Sequence, residues 1–155
     1  MKIVVSPNPY RDKQFKNARQ ACSILREAGA EVALCLPFDV DKTFEIPHDL
    51  RFQDIQKEIK TADMLICFGG DGTILHSSKI ATEHNLPILG VNIGTMGFIA
   101  ELEAGEIELL RKIPKGDYTV EERTMLDVSV GNGRQTLFHE TALNDAVITK
   151  GAIAR

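Results

Sequence analysis

The chain has no tryptophan, only two tyrosines and three cysteines, and no long apolar run. Each scarcity excludes something. No stretch approaches the roughly 20 apolar residues that span a bilayer, and the start lacks the apolar segment of a secretory leader. Cys22, Cys35 and Cys67 are odd in number, far apart and each set in an apolar stretch. They read as reduced core thiols of a cytoplasmic protein, not as a disulfide frame or a zinc site. Charge of one sign is scarce as well. Eighteen basic against 22 acidic side chains leave a net charge of −4, which argues against nucleic acid or an anionic membrane as the main partner. Two common nucleotide motifs are also missing. No G-x-G-x-x-G follows the first expected strand and no G-x-x-x-x-G-K-[ST] occurs, so dehydrogenases and P-loop ATPases lose ground. The four histidines, His48, His76, His84 and His139, show no metal spacing and no partner nucleophile. They read as surface or packing residues.

What remains is a 155-residue chain, 43% hydrophobic, long enough to bury roughly 68–70% of its unfolded surface without staples. Residues 2–6 are β-branched and stopped by Pro7-Asn8-Pro9, a strand followed by a loop. Over residues 12–28, Ala18, Ala21, Ile24, Leu25 and Ala28 recur at helical spacing, and Gly29 supplies a stop. A strand is expected over 31–36, a loop over 38–49 and a short helix over 50–61. Residues 63–68 form a near-continuous apolar run, the pattern of a strand buried on both faces of a parallel sheet. Helix over 74–84, strand over 87–91 and helix over 106–113 follow. Strands alternating with helices predict βαβ units and a doubly wound, mostly parallel α/β sheet. After Gly116 the texture changes to strand over 118–130, a tight turn at Asn132-Gly133, strand over 135–141 and a further strand over 145–150. The expected organisation is an α/β domain at 1–117 and the first strands of a truncated, antiparallel β-rich domain at 118–155.

The sharpest chemical signal is Gly69-Gly70-Asp71-Gly72-Thr73, where a buried strand meets a helix. Open α/β sheets place their ligands at such carboxyl ends. The glycines remove Cβ atoms that would hold a phosphate away from backbone N–H groups, and Thr73 can cap the helix behind them. Asp71 is the odd member, since a carboxylate beside a phosphate cradle is electrostatically costly. It can hold Mg²⁺ against the phosphates or accept a proton from an attacking hydroxyl. A tight turn in which it caps its own backbone is the plain alternative. A second signal runs from Leu89 to Phe98, where Gly90, Gly94 and Gly97 interleave with Asn92 and Phe98. It reads either as a ligand-facing loop, with an amide for a polar edge and a ring for a base, or as a flexible connection with Phe98 in the core. The third is Leu143-Asn144-Asp145, a polar pair opening an apolar run, which points at ligand hydroxyls or forms a turn. Glu101, Glu103, Glu106 and Glu108 read as a solvated loop and helix start, and Lys13, Lys16 and Arg19 as a solvated face.

Taken in this order, Gly69-Gly70-Asp71-Gly72-Thr73, the G-V-N-x-G-x-x-G-F loop of residues 90–98 and Ala142-Leu143-Asn144-Asp145 resemble the NAD kinases. The first element alone is shared with diacylglycerol and sphingosine kinases and phosphofructokinases; the combination is far more specific. Members of the family continue into a further β-rich domain, so the resemblance implies the amino-terminal half of such an enzyme. It implies phosphorylation of the adenosine ribose 2′-hydroxyl of NAD to give NADP, with ATP or polyphosphate as donor and a divalent metal, Mg²⁺ expected. It further implies a cytoplasmic homo-oligomer without nucleic-acid or membrane partners.

On this sequence the resemblance makes Asp71 the catalytic carboxylate that activates the 2′-hydroxyl. Gly69, Gly70, Gly72 and Thr73 would shape the phosphate site, Asn92 and Phe98 would face the nucleotide, with Phe98 against adenine, and Asn144 with Asp145 would bind a ribose. The family usually carries Glu where Asp145 stands, one methylene longer. Thr95 occupies a position often bulky in relatives and takes no role. Half a site would hold NAD weakly, so these 155 residues alone are expected to turn over poorly. A lipid-kinase or phosphofructokinase relative and a non-catalytic nucleotide-binding module stay open as alternatives.

Overall fold

β-Branched and apolar runs at four places in the first 120 residues fold as neighbouring strands of one sheet. In the computed structural model, which describes residues 1–95 and 97–148, these are β1 (Lys2–Pro7), β2 (Glu31–Leu34), β3 (Met64–Gly69) and β4 (Ile88–Asn92). A two-residue strand that the pattern did not announce, β5 (Leu102–Glu103), adds an edge. All five pair in parallel in the order β2-β1-β3-β4-β5.

Because successive strand residues face opposite sides, each strand feeds two cores. Ile3, Val5, Ile66 and Phe68 pack with Ala18, Ala21 and Leu25 of α1 (Lys16–Glu27) and with Ile107 and Leu110 of the 3₁₀ helix Ala104–Lys115. Val4 and Leu65 face the other way, onto Ile59 of the 3₁₀ turn after α2 (Ile55–Glu58) and Ala81 of α3 (Asp71–Glu83). Helices therefore cover both faces, and the doubly wound parallel architecture is the observed one. Strand order reverses at β1, whose neighbours are β2 on one side and β3 on the other. That switch point opens a crevice at the carboxyl ends of β1 and β3.

Several boundaries differ from the sequence pattern. The helix expected over 12–28 starts as α only at Lys16, because Gln14 and Phe15 take left-handed φ of 54° and 55°. Burial explains this. Phe15 is 1% exposed and packs its ring 4.9 Å from that of Phe52, while the buried Asp12 carboxylate accepts the N–H groups of Asn17 and Ala18 in place of an earlier helical turn. The helix expected over 50–61 shrinks to α2 and one 3₁₀ turn. Gln53 donates its N–H to Leu34 O, fastening that segment to β2, and Asp54 then caps α2 through Gln56 N–H. Conversely, α3 begins at Asp71 and not near Ile74, with Gly70 as its N-cap.

The second unit, Glu121–Arg155, holds an antiparallel hairpin of β6 (Leu126–Gly131) and β7 (Thr136–Ala142). Its turn is where Asn132-Gly133 predicted it. Asn132 Oδ1 accepts the N–H groups of Arg134 and Gln135, and Gly133 sits at φ 83°, where a Cβ would be strained. The first strand starts at Leu126 and not at 118, after the charged run Glu121-Glu122-Arg123. Residues 145–148 of the third expected strand are not extended into a ladder, since β6 and β7 pair only with each other among the described residues. Residues 149–150 lie outside the described residues.

Candidate active site

The crevice at the ends of β1 and β3 holds a cavity of about 510 Å³. Its floor is Gly70, Asp71, Gly72 and Thr73. Asn8 and Arg11 from the loop after β1 form one wall with Phe38 and His76, and Gly94 and Thr95 close another side.

The floor follows from the turn chemistry. Thr73 and Ile74 donate their N–H groups to Gly70 O, whereas Asp71 and Gly72 stand too early in the helix for an intrahelical partner. A 13-residue helix thus offers its positive end to the cavity. The three glycines do different work. A Cβ on Gly69 would lie 2.3 Å from Thr73 Oγ1, so Gly69 is small because the strand and helix touch there. A Cβ on Gly70 or Gly72 would meet nothing within 4 Å, so those two leave open space for a ligand. Thr73 is not the cap that its position suggested. It is buried in the first turn, and its Oγ1 accepts Asn8 Nδ2 at 2.9 Å.

Asp71 is half-buried and does not cap its own turn. Its carboxylate reaches across to the loop after β4, where Oδ1 accepts Phe98 N–H at 3.0 Å and Ile99 N–H at 3.2 Å. That loop is fastened further at both ends. Ile93 N–H donates to Gly69 O, and Gly90 N–H donates to the Glu101 carboxylate at 2.9 Å. Asn92 is 3% exposed and lies beside the cavity, not along it. Its Nδ2 donates to both oxygens of Glu103 at 3.0–3.1 Å and its Oδ1 accepts Gly94 N–H at 3.0 Å. Phe98 is neither core nor cavity lining; the residue is 83% exposed while its backbone N–H is held on Asp71.

The acidic cluster is correspondingly not just a solvated face. Glu101 and Glu103 hold the loop, and Glu103 with Glu106 forms the capping box of the 3₁₀ helix. Asn144 and Asp145 belong to the second unit and are exposed, Asn144 in the bend after β7 and Asp145 just beyond it.

Five lining residues carry no such role in the sequence pattern: Asn8, Arg11, Phe38, His76 and Thr95. Asn8 had a usable signal, since it stands between two prolines at the end of the first strand, where switch-point ligands bind. His76 lies on the exposed side of α3, its Nε2 3.1 Å from Pro37 O and its ring edge-on to Phe38 with centroids 5.7 Å apart. Phe38 in turn stacks on Tyr10 at 6.2 Å. The three cysteines are free and buried, as their surroundings implied. Burial pushes the Cys67 and Cys35 thiols up to about 12 and Cys22 to about 11, so none is a nucleophile near neutral pH.

A glycine-lined helix start, on the switch point of a doubly wound sheet and with one carboxylate in its floor, defines an open α/β protein with a crevice at the carboxyl ends of its strands. Comparison with known proteins narrows this. Residues 2–118 match the ATP-NAD kinase N-terminal domain, and the chain belongs to the NAD kinase family. It is 36% identical over 155 residues to the NAD kinase of Caldanaerobacter subterraneus subsp. tengcongensis, covering 99% of this chain and 53% of that one. It is 30% identical over 159 residues to that of Acetivibrio thermocellus, covering 100% of this chain and 53% of that one. The chain spans about half the length of the curated relatives it matches. Among solved structures it is similar in fold to yeast NADH kinase complexed with NADH, with a TM-score of 0.65 at 19% identity over 92% of this chain and 46% of that one.

Proposed function

We propose that the protein phosphorylates the adenosine ribose 2′-hydroxyl of NAD, using ATP, and that Asp71 is the base. The observation that carries this is the Asp71 carboxylate, held in the cavity floor by two backbone N–H groups and flanked by the open positions of Gly70 and Gly72. Phosphoryl transfer asks for positioning and charge neutralisation more than for covalent chemistry. In the step, O2′ loses its proton to an Asp71 oxygen, the O2′–Pγ bond forms, and the bond from Pγ to the β,γ-bridging oxygen breaks to release ADP. Among the described residues, the hydrogen bonds from Phe98 and Ile99 lie mainly on Oδ1. That leaves acceptor capacity on Oδ2 for the hydroxyl proton.

Among the described residues no three metal-ligating side chains converge, so no all-protein cage for a cation exists there. Mg²⁺ commonly keeps several waters and is held in part by substrate phosphates. Among the described residues lining the cavity Asp71 is the one carboxylate, and with its Oδ2 given to the hydroxyl proton the donor phosphates would carry most of the ion's coordination. When bound there it would neutralise charge on the transferring phosphoryl group. Polyphosphate stands beside ATP as a possible donor, because the cradle addresses phosphate and not base.

Phe98 is the side chain best exposed for stacking on adenine, and Asn144 with Asp145 supply the hydroxyl-binding pair. The reading includes residues 1–117 as the phosphate-binding domain, a cytoplasmic site of action and a homo-oligomer. The apolar Val130, Leu137 and Phe138, left about half exposed on β6 and β7, support an assembled form. NADP formation from NAD, ATP and Mg²⁺ by the protein in its natural length tests the reading, and absence of product overturns it.

A further inference from the structure

The cavity carries a positive charge that the fold itself does not use. Arg11 lines it, yet its guanidinium makes no hydrogen bond or ion pair with any other described residue. The remaining lining charge among the described residues is Asp71, whose Oδ1 is taken by the loop after β4. The other arginines with described partners are tied to carboxylates or carbonyls. Arg19 pairs with Asp49, Arg26 donates to Val32 O and Arg111 pairs with Glu27. Even the acid next to Arg11 in sequence has no need of it, because buried Asp12 is satisfied by Asn17 and Ala18.

The backbone that presents Arg11 is nonetheless well fixed. Arg11 N–H donates to Asn8 O at 3.1 Å, Asn8 N–H to Phe68 O at 2.8 Å, and Asn8 Nδ2 to Thr73 Oγ1 at 2.9 Å. The loop after β1 is therefore tied to the strand and helix on either side of Gly70-Asp71-Gly72. A guanidinium carried on that fixed backbone, at the cavity wall and unpaired among the described residues, suits a multiply charged oxygen ligand.

We infer that Arg11 binds the terminal phosphates of the phosphoryl donor. This rests on the kinase reading above and assigns the Asn8–Arg11 wall to the donor, leaving the Phe98 side to the acceptor nucleotide. Arg11 neutralises charge on the oxygens of the transferring group, to which its fork can donate two parallel hydrogen bonds.

The test compares Arg11→Ala and Arg11→Lys with wild type in the natural-length protein, measuring NADP formation with ATP and NAD varied separately. Arg11 is exposed and bonded to nothing through its side chain, so both variants should melt with the wild type. In Arg11→Ala, kcat/KM for ATP falls roughly ten- to a hundredfold, the effect of losing hydrogen bonds to a charged partner, while KM for NAD stays unchanged. Arg11→Lys keeps the charge without the fork and recovers part of the loss. Inorganic tripolyphosphate, used as a competitor of ATP, loses potency by the same factor, because the contact reads phosphate and not adenine. An unchanged kcat/KM for ATP overturns the inference, as does a loss that appears as a raised KM for NAD with kcat and KM for ATP unchanged. A wild type that makes no NADP overturns the kinase reading instead, so the two failures are distinguishable.

Discussion

The carboxylate of Asp71 accepts the backbone N–H of Phe98 at 3.0 Å, across 27 residues of sequence. The residue proposed as base is thus also the peg that holds the loop after β4 against the phosphate cradle. The carboxylate and the backbone of Phe98 are held together by one contact.

Two substitutions at Asp71 should therefore separate chemistry from structure. Asp71→Asn keeps an oxygen to accept Phe98 and Ile99 N–H groups but cannot take a proton, so NADP formation drops roughly 10²–10⁴-fold with little change in melting temperature. Asp71→Ala removes the peg as well, and the Phe98 and Ile99 N–H groups turn to water, at a cost of about 0.5–1.5 kcal/mol. Steady-state rates and thermal melts of both variants decide the matter; equal melting of the two would show that the peg holds nothing.

How far the sequence foretold this can be read from the same residues. The strands and the carboxyl-end location of Gly69–Thr73 were legible because β-branched runs and glycine turns are local signals. The attachments were not. Asn8 meets Thr73 across 65 residues and Asn92 meets Glu103 across 11, and no periodicity records which partner a buried amide will find. Glu101, Glu103 and Glu106 misled for a related reason: an acidic run most often faces water, and only the fold turns it onto Gly90, Asn92 and a helix start. Phe15 shows tertiary packing overriding propensity, since burying its ring takes precedence over continuing the helix.

The glycines of the cradle make opposite predictions. Gly69→Ala would place a methyl 2.3–2.8 Å from three side-chain atoms of Thr73, and overpacking of this kind costs about 1–3 kcal/mol. Gly72→Ala meets no neighbour within 4 Å, and alanine suits a helix better than glycine, so stability holds or rises. Its methyl instead occupies the space a phosphate would enter, and KM for the donor increases. Melting curves beside donor titrations of the two variants test this, and a destabilised Gly72→Ala protein would contradict it.

Asn92 offers a purely structural test inside a motif that invites a ligand-binding explanation. Its amide bridges Gly94 N–H and the Glu103 carboxylate, while Asn92 itself is buried. Asn92→Ala removes the bridge between two exposed partners at a cost of about 0.5–1.5 kcal/mol, which is roughly 2–4 °C of melting temperature per kcal/mol for a chain of this size. Asn92→Asp goes further, because it sets a second carboxylate against Glu103. The order of melting temperatures should be wild type, then Asn92→Ala, then Asn92→Asp; wild-type stability in Asn92→Asp would mean that the bridge to Glu103 is not made.

The buried thiols set the alkaline limit of stability. Desolvation raises Cys35 and Cys67 to about 12 and Cys22 to about 11 from an ordinary value of 9.0, so the folded state favours the neutral thiol more than the unfolded chain does. Their contribution is complete below pH 9 and is lost as pH climbs through the folded values, because the unfolded chain ionises first. Denaturant midpoints should hold between pH 7 and 8.5 and fall progressively from pH 9 upward, with a shallower fall in Cys67→Ala. At pH 8 a thiol-modifying reagent should leave the native protein unlabelled and label all three cysteines once it is unfolded. Rapid labelling of the native state, or a midpoint that stays flat to pH 11, would refute the assignment of these residues to a dry core.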